Sequence, residues 1–271
     1  MQQHRKRYSV ACEQQIGDRK SVTIVSNPII VIPARMASTR LPGKPLAEID
    51  GLPMIVQVLR RAEEADIGPA IVACAEREIA DVVEAAGGQA ILTRADHPSG
   101  SDRVFEAVEI FDPDGSYDAI VNLQGDLPAL DPKAVSAVFQ PLAAPGVDIS
   151  TLVAEIIDRT ELEDESAVKA VVSFSAGSKV GRAVWFSRLK SPWGEGPHYH
   201  HIGIYAYRRD ALKRFVSLPV APLEAREKLE QLRALEAGMR IDAAIVDTVP
   251  LGVDTPEDLA RMRQLFTSSS E

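Results

Sequence analysis

The chain has 271 residues, a formal net charge of −9 and 45% apolar residues, which suits a soluble protein with one large domain or two small ones. The acidic balance excludes a general nucleic-acid binder, because neutralising phosphates requires a basic face. No apolar run reaches the length of a membrane span, so we expect no membrane insertion.

The N-terminal segment is polar and mildly basic, without the apolar stretch of a signal peptide. We expect residues 1–26 to be a disordered leader and residues 27–267 to form a single domain with two halves, 27–145 and 146–267. Cys12 and Cys74 have neither a metal-binding spacing nor a CxxC partner. We therefore interpret them as reduced thiols of a cytoplasmic protein.

The first half alternates short apolar strands with helices. Strands are predicted at residues 29–32, 70–74, 90–93 and 117–123, and helices are predicted to begin at Pro53, near residue 76, near Ser101 and at Pro132. Because these strands are apolar throughout, they predict a parallel sheet with helices on both faces and right-handed crossovers between the strands.

The second half does not alternate strands with helices; it has several strand-like segments in succession and few helices between them. Strands are predicted at 149–156, 168–174, 183–186, 201–207 and 241–246, and helices at 211–216, at 223–238 and from Pro256, with Thr255 as the N-cap. The prediction for the whole chain is an α/β fold with a mixed, mostly parallel sheet and antiparallel additions in the second half.

A basic loop follows the first predicted strand. The segment IPARMASTRLPGKPL places Arg35, Arg40 and Lys44 within ten residues. Ligands of open parallel sheets bind beyond the carboxyl ends of the strands, and two guanidinium forks, a mobile ammonium and small residues suit a triphosphate. A solvated basic loop is the alternative. The loop matches neither GxGxxG nor the Walker pattern, which argues against a dinucleotide oxidoreductase and a P-loop ATPase.

Two aspartates are candidate ligands for Mg²⁺, which takes one or two carboxylates together with phosphate oxygens. Asp126 lies just past the fourth predicted strand in VNLQGDLP, and Asp254 precedes the final helix in GVDTPEDL. Taken alone, each aspartate is more typical of a turn or a helix cap. Together with the basic loop, they indicate transfer chemistry on a polyphosphate.

A histidine-rich segment, HYHHIGIY, follows in the second half. Strand alternation places His201 and Tyr205 on one face with Gly203 between them, which leaves room for a ligand. We favour contact with a sugar over metal binding or a structural role.

The segment PLEAREKLEQLR predicts an amphipathic helix whose leucines face inward. Its charges are those of a solvated face with pairs four residues apart. Spacing alone assigns no function to Glu230 or Gln231.

Seven segments, in this order and spacing, resemble the 3-deoxy-manno-octulosonate (KDO) cytidylyltransferase family over residues 29–265. They are IPARMASTRLPGKPL, MIVQVLRRA, TRADHPSGSDR, VNLQGDLP, HIGIYAYR, PLEAREKLEQLR and GVDTPEDL. The resemblance implies a Rossmann-like nucleotidyltransferase fold, Mg²⁺ as cofactor, and transfer of CMP from CTP to KDO for lipopolysaccharide biosynthesis. It also implies a CTP-binding half at 27–145 and a homodimer that assembles mainly through 146–267.

The same resemblance assigns roles to single residues. It implies a nucleotide site of Ala34, Arg35, Arg40, Lys44, Ser99, Gly100, Arg103 and Gln124. It implies a sugar-acid site of Gln124, Arg188, His201, Tyr205, Glu230 and Gln231. The metal is expected on Asp126 and Asp254, and the residues expected to carry catalysis are Arg35, Lys44, Asp126 and Asp254.

Three positions depart from the family pattern. Leu127 stands where many members have Glu, Ala75 lies in a run that is usually Thr-Asp-Asp-like, and Ser166 stands where Asn is common. Ala75 argues against a polar contact from that loop to the nucleotide. The alternatives are a cytidylyltransferase for another sugar acid, such as sialic acid or 8-amino-KDO, and a non-catalytic nucleotide-sensing protein on the same fold.

Overall fold

The computed structural model describes residues 26–269. Within them the strands are β1 (Pro28–Ala34), β2 (Glu48–Ile49), β3 (Leu52–Pro53), β4 (Ala70–Cys74), β5 (Gln89–Leu92), β6 (Ala119–Asn122), β7 (Ile149–Glu155), β8 (Lys169–Phe174), β9 (Val180–Ser187), β10 (Tyr199–Arg208) and β11 (Ile241–Val246). The helices are α1 (Met54–Glu64), α2 (Arg77–Ala85), α3 (Gly100–Phe111), α4 (Pro132–Phe139), α5 (Arg209–Ser217), α6 (Pro222–Glu227), α7 (Leu232–Glu236) and α8 (Pro256–Ser269). Short 3₁₀ turns lie at Lys44–Leu46, Gln140–Ala143 and Arg159–Leu162.

Nine strands of the described chain form one sheet in the order β5-β4-β1-β6-β10-β7-β11-β9-β8. The first four pair in parallel, as do β7 and β11, whereas β10 and β9 run antiparallel to their neighbours. A further antiparallel pairing joins β10 to β8, so antiparallel pairings slightly outnumber parallel ones. The sheet is therefore mixed, and a mostly parallel sheet is not confirmed for the whole domain. Every antiparallel pairing in this sheet includes a strand of the second half, as predicted, whereas β2 and β3 form a separate antiparallel pair.

Two apolar layers cover the sheet, one on each face, as predicted. In β1, Ile30 and Ile32 pack with α1, α2 and α4, whereas Ile29 and Val31 pack with α3, α5 and α7. All four side chains are completely buried, and their alternation follows from the two-residue period of a strand. Burying each contributes about 1.5–3 kcal/mol, so the sheet is a rigid platform for the loops that follow its strands.

The antiparallel strand β10 carries the histidine-rich segment to the carboxyl edge of the parallel strands. Tyr205 pairs with Asn122, the last residue of β6, and Arg208 pairs with Ala119 at its start. Because the two strands run in opposite directions, residues before Tyr205 extend past the carboxyl end of β6. His201 therefore lies on the same edge of the sheet as the loop that follows β6.

The helix predicted at 223–238 is two helices, α6 and α7, separated by a turn. Lys228 ends α6 in a left-handed conformation, with φ 56°, before α7 begins. The prediction of one continuous helix is therefore wrong. The sequence pattern gave no sign of the break, because the apolar residues on both sides of it face the core and keep an amphipathic spacing. The turn carries Glu230 and Gln231, which a continuous helix would have spread along its surface.

Hydrogen bonds fix the start of the last helix and the first described residue. Thr255 caps α8 as predicted: its Oγ1 accepts from Asp258 N at 3.2 Å, and the Asp258 carboxylate accepts from Thr255 N at 3.1 Å. The predicted leader lies outside the described residues apart from Ser26, whose N donates to Asp118 Oδ2 at 2.9 Å. In residues 26–269, no helix has the length and apolar character needed to cross a membrane.

Candidate active site

A cleft of about 400 Å³ opens at the carboxyl edge of the sheet, between the loops after β1 and β6 and the start of α3. The residues predicted for the nucleotide all line it: Ala34, Arg35, Arg40, Lys44, Ser99, Gly100, Arg103 and Gln124. Asp126 lines the cleft as well. This is the position at which open α/β sheets bind their ligands.

The loop after β1 is held by its main chain, which leaves its cations directed at the cleft. Met36 N donates to Glu76 Oε2 at 3.0 Å. Gly43 has φ 70° just before the 3₁₀ turn that contains Lys44, a left-handed conformation that glycine adopts without strain. Arg35 is exposed, and within residues 26–269 its guanidinium has no hydrogen bond or ion pair. It is therefore available to a ligand.

Two departures from the family pattern have structural explanations. Leu127 is buried in one of the apolar layers, so the loop after β6 brings a single carboxylate, that of Asp126, to the cleft. Ala75 N donates to Ala34 O at 3.3 Å, which continues the pairing of β1 with β4. The polar contact from that loop comes from Glu76, which holds the basic loop.

Four charged side chains form a row across the mouth of the cleft. Lys44 Nζ donates to Asp126 Oδ2 at 2.8 Å and to Asp254 Oδ1 at 3.0 Å. Arg40 Nη2 lies 3.0 Å from the other oxygen of Asp254. Burial lowers the pKa of Lys44, but Asp126 and Asp254 outweigh burial and raise that pKa above its ordinary 10.5. The ammonium is therefore charged at neutral pH.

The two aspartates converge on one cation. They come from loops that lie side by side, since Val253 N donates to Asp126 O at 3.0 Å, and both carboxylates reach the same Lys44 Nζ. Mg²⁺ takes one or two carboxylates with phosphate oxygens, so Asp126 and Asp254 fit that ion. The described residues contain no group of three or more His, Cys, Asp or Glu side chains suited to a metal, so the other ligands would come from the substrate and water.

The loop after β6 lies close against the end of β1. A Cβ on Gly125 would lie 3.0 Å from Pro33 O, so a larger residue would push the two loops apart. Gln124 Nε2 donates to Asn122 Oδ1 at 3.5 Å. This close packing places Gln124 and Asp126 on opposite sides of a glycine at the floor of the cleft.

The start of α3 forms the opposite wall. Ser99 caps the helix, because its Oγ accepts from Asp102 N at 3.2 Å and donates to Asp102 Oδ2 at 2.7 Å. Arg103 is buried and donates to Thr93 Oγ1 at 2.6 Å and to Arg94 O at 3.1 Å. The guanidinium is thus held within the wall, where its charge faces the cleft without being mobile.

A second polar group is buried next to the cleft, at the turn between α6 and α7. Ser101 Oγ donates to Glu230 Oε2 at 2.9 Å, whereas Glu230 Oε1 and Gln231 Nε2 are buried with no hydrogen-bond partner in the described structure. Each such atom costs about 1–3 kcal/mol, so the group fits a polar ligand. Gly100 lines the cleft and precedes Ser101, so the two sites adjoin.

His201 and Tyr205 lie on the same face of β10, as predicted, with ring centroids 5.5 Å apart. A Cβ on Gly203 would meet nothing within 4 Å, so the expected space is present. His201 Nε2 lies 3.0 Å from Thr151 Oγ1. Burial lowers the pKa of His201 from 6.5 to about 3, so the imidazole is neutral at physiological pH.

The three histidines of the segment have three different partners. His198 Nε2 lies 3.1 Å from Pro192 O, and His200 Nδ1 contacts the Glu161 carboxylate. His201 is directed at a threonine hydroxyl, so the three imidazoles have separate partners, and contact of this segment with a sugar stays a prediction.

Arg188 is not among the residues that line the cleft. Its Nε donates to Glu227 O at 3.1 Å and its Nη1 donates to Glu165 O at 3.0 Å. The fully buried Lys169 donates from Nζ to Arg188 O at 3.0 Å. The guanidinium therefore fastens the end of α6, just before the turn with Glu230, and its contact with a sugar stays a prediction.

Three further polar residues at the site were not predicted: His97, Ser101 and Tyr207. His97 lines the cleft, and its Nε2 contacts the Glu106 carboxylate. Burial, followed by the charge of Glu230, raises the pKa of Tyr207. A signal existed for each: His97 and Ser101 lie within TRADHPSGSDR, and Tyr207 shares the strand face of His201 by two-residue alternation.

Comparisons with known proteins bear on this site. The family model described as cytidylyltransferase matches residues 29–241. A protein of Paramagnetospirillum magneticum named 3-deoxy-manno-octulosonate cytidylyltransferase is 66% identical over 239 residues, covering 88% of this chain and 97% of that protein. A protein of the same name from Parvibaculum lavamentivorans is 61% identical over 247 residues, covering 91% of this chain and 95% of that protein.

Solved structures give a consistent result. A CMP:2-keto-3-deoxy-manno-octonic acid synthetase complexed with CTP matches with a TM-score of 0.83 and 38% identity, covering 90% of this chain and 100% of that chain. A nucleotidyl transferase from Methanothermobacter matches with a TM-score of 0.59 and 15% identity, covering 90% of this chain and 99% of that chain. The second likeness concerns the fold alone.

Proposed function

Because this chain belongs to the cytidylyltransferase family, we propose that it transfers CMP from CTP to KDO, forming CMP-KDO and pyrophosphate. The observation that carries the proposal is the meeting of Arg40 and Lys44 with Asp126 and Asp254 at the mouth of a cleft that adjoins a buried polar pocket. The cleft has the charges for a triphosphate, and the pocket has hydrogen-bonding atoms for a polyhydroxylated acid.

The reaction joins two anions. The anomeric hydroxyl oxygen of KDO attacks the α-phosphorus of CTP in line and gives up its proton to water, and the bond from that phosphorus to the β-phosphate oxygen breaks to release pyrophosphate. Arg35, Arg40 and Lys44 hold the triphosphate and offset its repulsion from the sugar acid. Orienting the two substrates side by side contributes on the order of 7–11 kcal/mol to lowering the barrier.

The carboxylates of Asp126 and Asp254 would hold Mg²⁺, which offsets charge on the phosphates when bound. In the structure, these carboxylates are paired with Lys44 and Arg40. Phosphate oxygens compete for the same two cations. Binding of the nucleotide would therefore draw Lys44 and Arg40 toward the triphosphate and leave both aspartates open to the metal.

The pocket beside the cleft would receive the sugar acid. Gln124 lies on the cleft side, and Tyr205, Glu230 and Gln231 lie on the buried side, where the pKa of Tyr205 is raised by burial, then by Tyr207 and Glu230. The hydroxyl of Tyr205 therefore keeps its proton and can donate a hydrogen bond. His201 is neutral and provides shape and a hydrogen-bonding ring rather than charge.

A pyrophosphate-release assay with CTP, Mg²⁺ and candidate sugar acids tests the proposal. We expect turnover with KDO and much slower turnover with sialic acid or 8-amino-KDO, and also when ATP or UTP replaces CTP. Removal of Mg²⁺ with EDTA should abolish the reaction, and added Mg²⁺ should restore it. Turnover with another sugar acid but not with KDO would contradict the substrate, and nucleotide binding without any turnover would indicate a nucleotide sensor.

The proposal extends to assembly and location. We infer a Rossmann-like CTP-binding half at 27–145 and a homodimer formed mainly through 146–267, within which Val184, Leu189 and Trp193 are exposed apolar side chains. The cytoplasm supplies CTP, and the product would enter lipopolysaccharide biosynthesis. Light scattering coupled to size-exclusion chromatography tests the dimer, since a monomer mass would contradict it.

A further inference from the structure

Glu230 is half-buried, and its two carboxylate oxygens lie in different environments. Its Oε2 accepts the Ser101 hydroxyl at 2.9 Å, and its Oε1 has no partner in the described structure. The side chain of Ser101 also hydrogen-bonds to Tyr207, whose raised pKa keeps its phenol protonated and able to donate to the serine oxygen. A serine hydroxyl has one proton to donate, and Ser101 gives it to Glu230 Oε2. The other oxygen is left as an acceptor, next in sequence to the unpaired donor Nε2 of Gln231.

Ser101 has a fixed position because it belongs to the first turn of α3 and is 2% exposed. Glu230 lies in a short turn between two helices, which fixes its side chain less well than a continuous helix would. The hydrogen bond from Ser101 therefore joins a rigid element to a turn. It holds the Glu230 carboxylate in one orientation before any ligand arrives, which lowers the ordering cost of binding.

We propose that Ser101 is a positioning residue, which orients Glu230 so that Oε1 accepts from, and Gln231 Nε2 donates to, a hydroxyl group of the sugar acid. This inference rests on the proposed function. A hydroxyl both donates and accepts, so it satisfies both buried atoms. An ammonium group only donates and leaves Gln231 Nε2 unpaired, and a deoxy carbon leaves both atoms unpaired. The pair therefore selects a hydroxylated ligand.

The test compares Ser101→Ala with Ser101→Thr, which retains the hydroxyl, in the pyrophosphate assay with KDO and CTP varied separately. We expect Ser101→Ala to raise KM for KDO about tenfold, while kcat and KM for CTP stay within about twofold of wild type. Ser101→Thr should restore KM for KDO. A merely structural role would instead change both KM values together and lower the thermal unfolding midpoint.

A double-mutant cycle with Glu230→Ala establishes whether Ser101 acts through Glu230. We expect Ser101→Ala to have less than about a twofold effect on KM for KDO once Glu230 is absent. A full tenfold effect in that background, or an unchanged KM for KDO in the single variant, overturns the inference. Absence of turnover by the wild-type enzyme would contradict the proposed function instead, so the two failures are distinguishable.

Discussion

The cleft and the pocket beside it satisfy their polar groups in opposite ways. In the cleft, the four charges at its mouth, those of Arg40, Lys44, Asp126 and Asp254, are partly exposed and paired with one another. The side chains of Arg40 and Asp254, for example, are 64% and 44% exposed and form an ion pair. In the pocket, Glu230 Oε1 and Gln231 Nε2 are buried and have no partner in the described structure. The paired charges of the cleft therefore have partners without a ligand, whereas the buried atoms of the pocket do not.

The difference indicates how each site would gain binding energy. A triphosphate in the cleft exchanges one set of ion pairs for another, and exposed pairs of this kind are weak and screened by salt. A sugar in the pocket provides the first partners for buried atoms whose desolvation is already part of the folded state. We therefore expect the cleft to tolerate loss of a peripheral cation and the pocket to discriminate sharply between sugars.

The largest expected effect comes from the carboxylate pair of the cleft. Asp126→Asn should lower kcat by about 10³-fold, because removing one preorganised electrostatic group costs on the order of 10²–10³. Stability should change little, because Lys44 keeps its contact with Asp254. Asp131→Asn is the matched control: Asp131 caps α4 by accepting from Lys133 N at 2.9 Å, and Asn caps equally well. A kcat within tenfold of wild type for Asp126→Asn would refute the metal assignment.

The next largest effect is expected from a buried ion pair near the pocket, whose loss should affect KDO binding more than CTP binding. Glu224 is 10% exposed and pairs with Arg233, which is 9% exposed, and it also accepts from Ala221 N at 2.9 Å. Glu224→Ala should lower the free energy of unfolding by about 3 kcal/mol, because it leaves a buried charge unpaired. Since this pair joins α6 to α7, KM for KDO should rise more than KM for CTP. Urea denaturation and steady-state kinetics provide the two measurements.

The same variant has a defined pH dependence. Burial raises the pKa of Glu224, but the hydrogen bonds from Arg233 and Ala221 outweigh burial and lower that pKa below its ordinary 4.5. The stabilisation is therefore present above pH 4.5 and is lost as the pH falls through the folded-state pKa, so wild type and Glu224→Ala should converge on acidification. The control Glu64→Gln removes an exposed pair with Arg61 and should cost less than about 1 kcal/mol. An equal loss in the control would contradict the role of burial.

A smaller effect concerns the neutral histidine of the pocket. The folded-state pKa of His201 is about 3, so below pH 6.5 the unfolded chain binds a proton that the folded chain excludes. Acidification from pH 6.5 to 5 should therefore destabilise wild type by up to about 1.4 kcal/mol per pH unit through this residue. His201→Gln should show a shallower dependence in urea denaturation at several pH values. Parallel curves for the two proteins would show that His201 titrates normally.

The smallest effect is expected at the rim of the cleft. Arg40→Gln removes a guanidinium whose side chain is 64% exposed, so KM for CTP should rise by only about threefold and kcat should change little. The difference from wild type should shrink at high salt, because exposed charges are screened. Arg61→Gln, on α1 and outside the cleft, is the control for net charge. A salt-independent loss of more than about tenfold would place Arg40 among the essential groups.

Much of the fold and the cleft followed from sequence pattern. The apolar runs predicted the strands of the parallel half, and the basic loop after β1 predicted a site at the carboxyl edge of the sheet. The strands and the site are both encoded locally. A buried strand needs an apolar run, and a site at the carboxyl edge of the sheet needs charges in the loop that follows a strand. Thr255 and Pro256 predicted the start of α8 for the same reason, since a helix cap depends on adjacent residues.

What the sequence alone did not determine depends on contacts between distant segments. The insertion of β10 between β6 and β7, which makes the sheet mixed, brings His201 to the edge that holds Asp126. The break at Lys228 has no signal in an amphipathic pattern that continues across it, yet it places Glu230 opposite Ser101, 129 positions earlier in the chain. Local sequence therefore identified the charged residues of the cleft, although their contacts with Lys44 join segments 82 and 210 positions apart. The buried pocket had no such local signal, because it exists only where tertiary packing brings polar atoms together and excludes water from them.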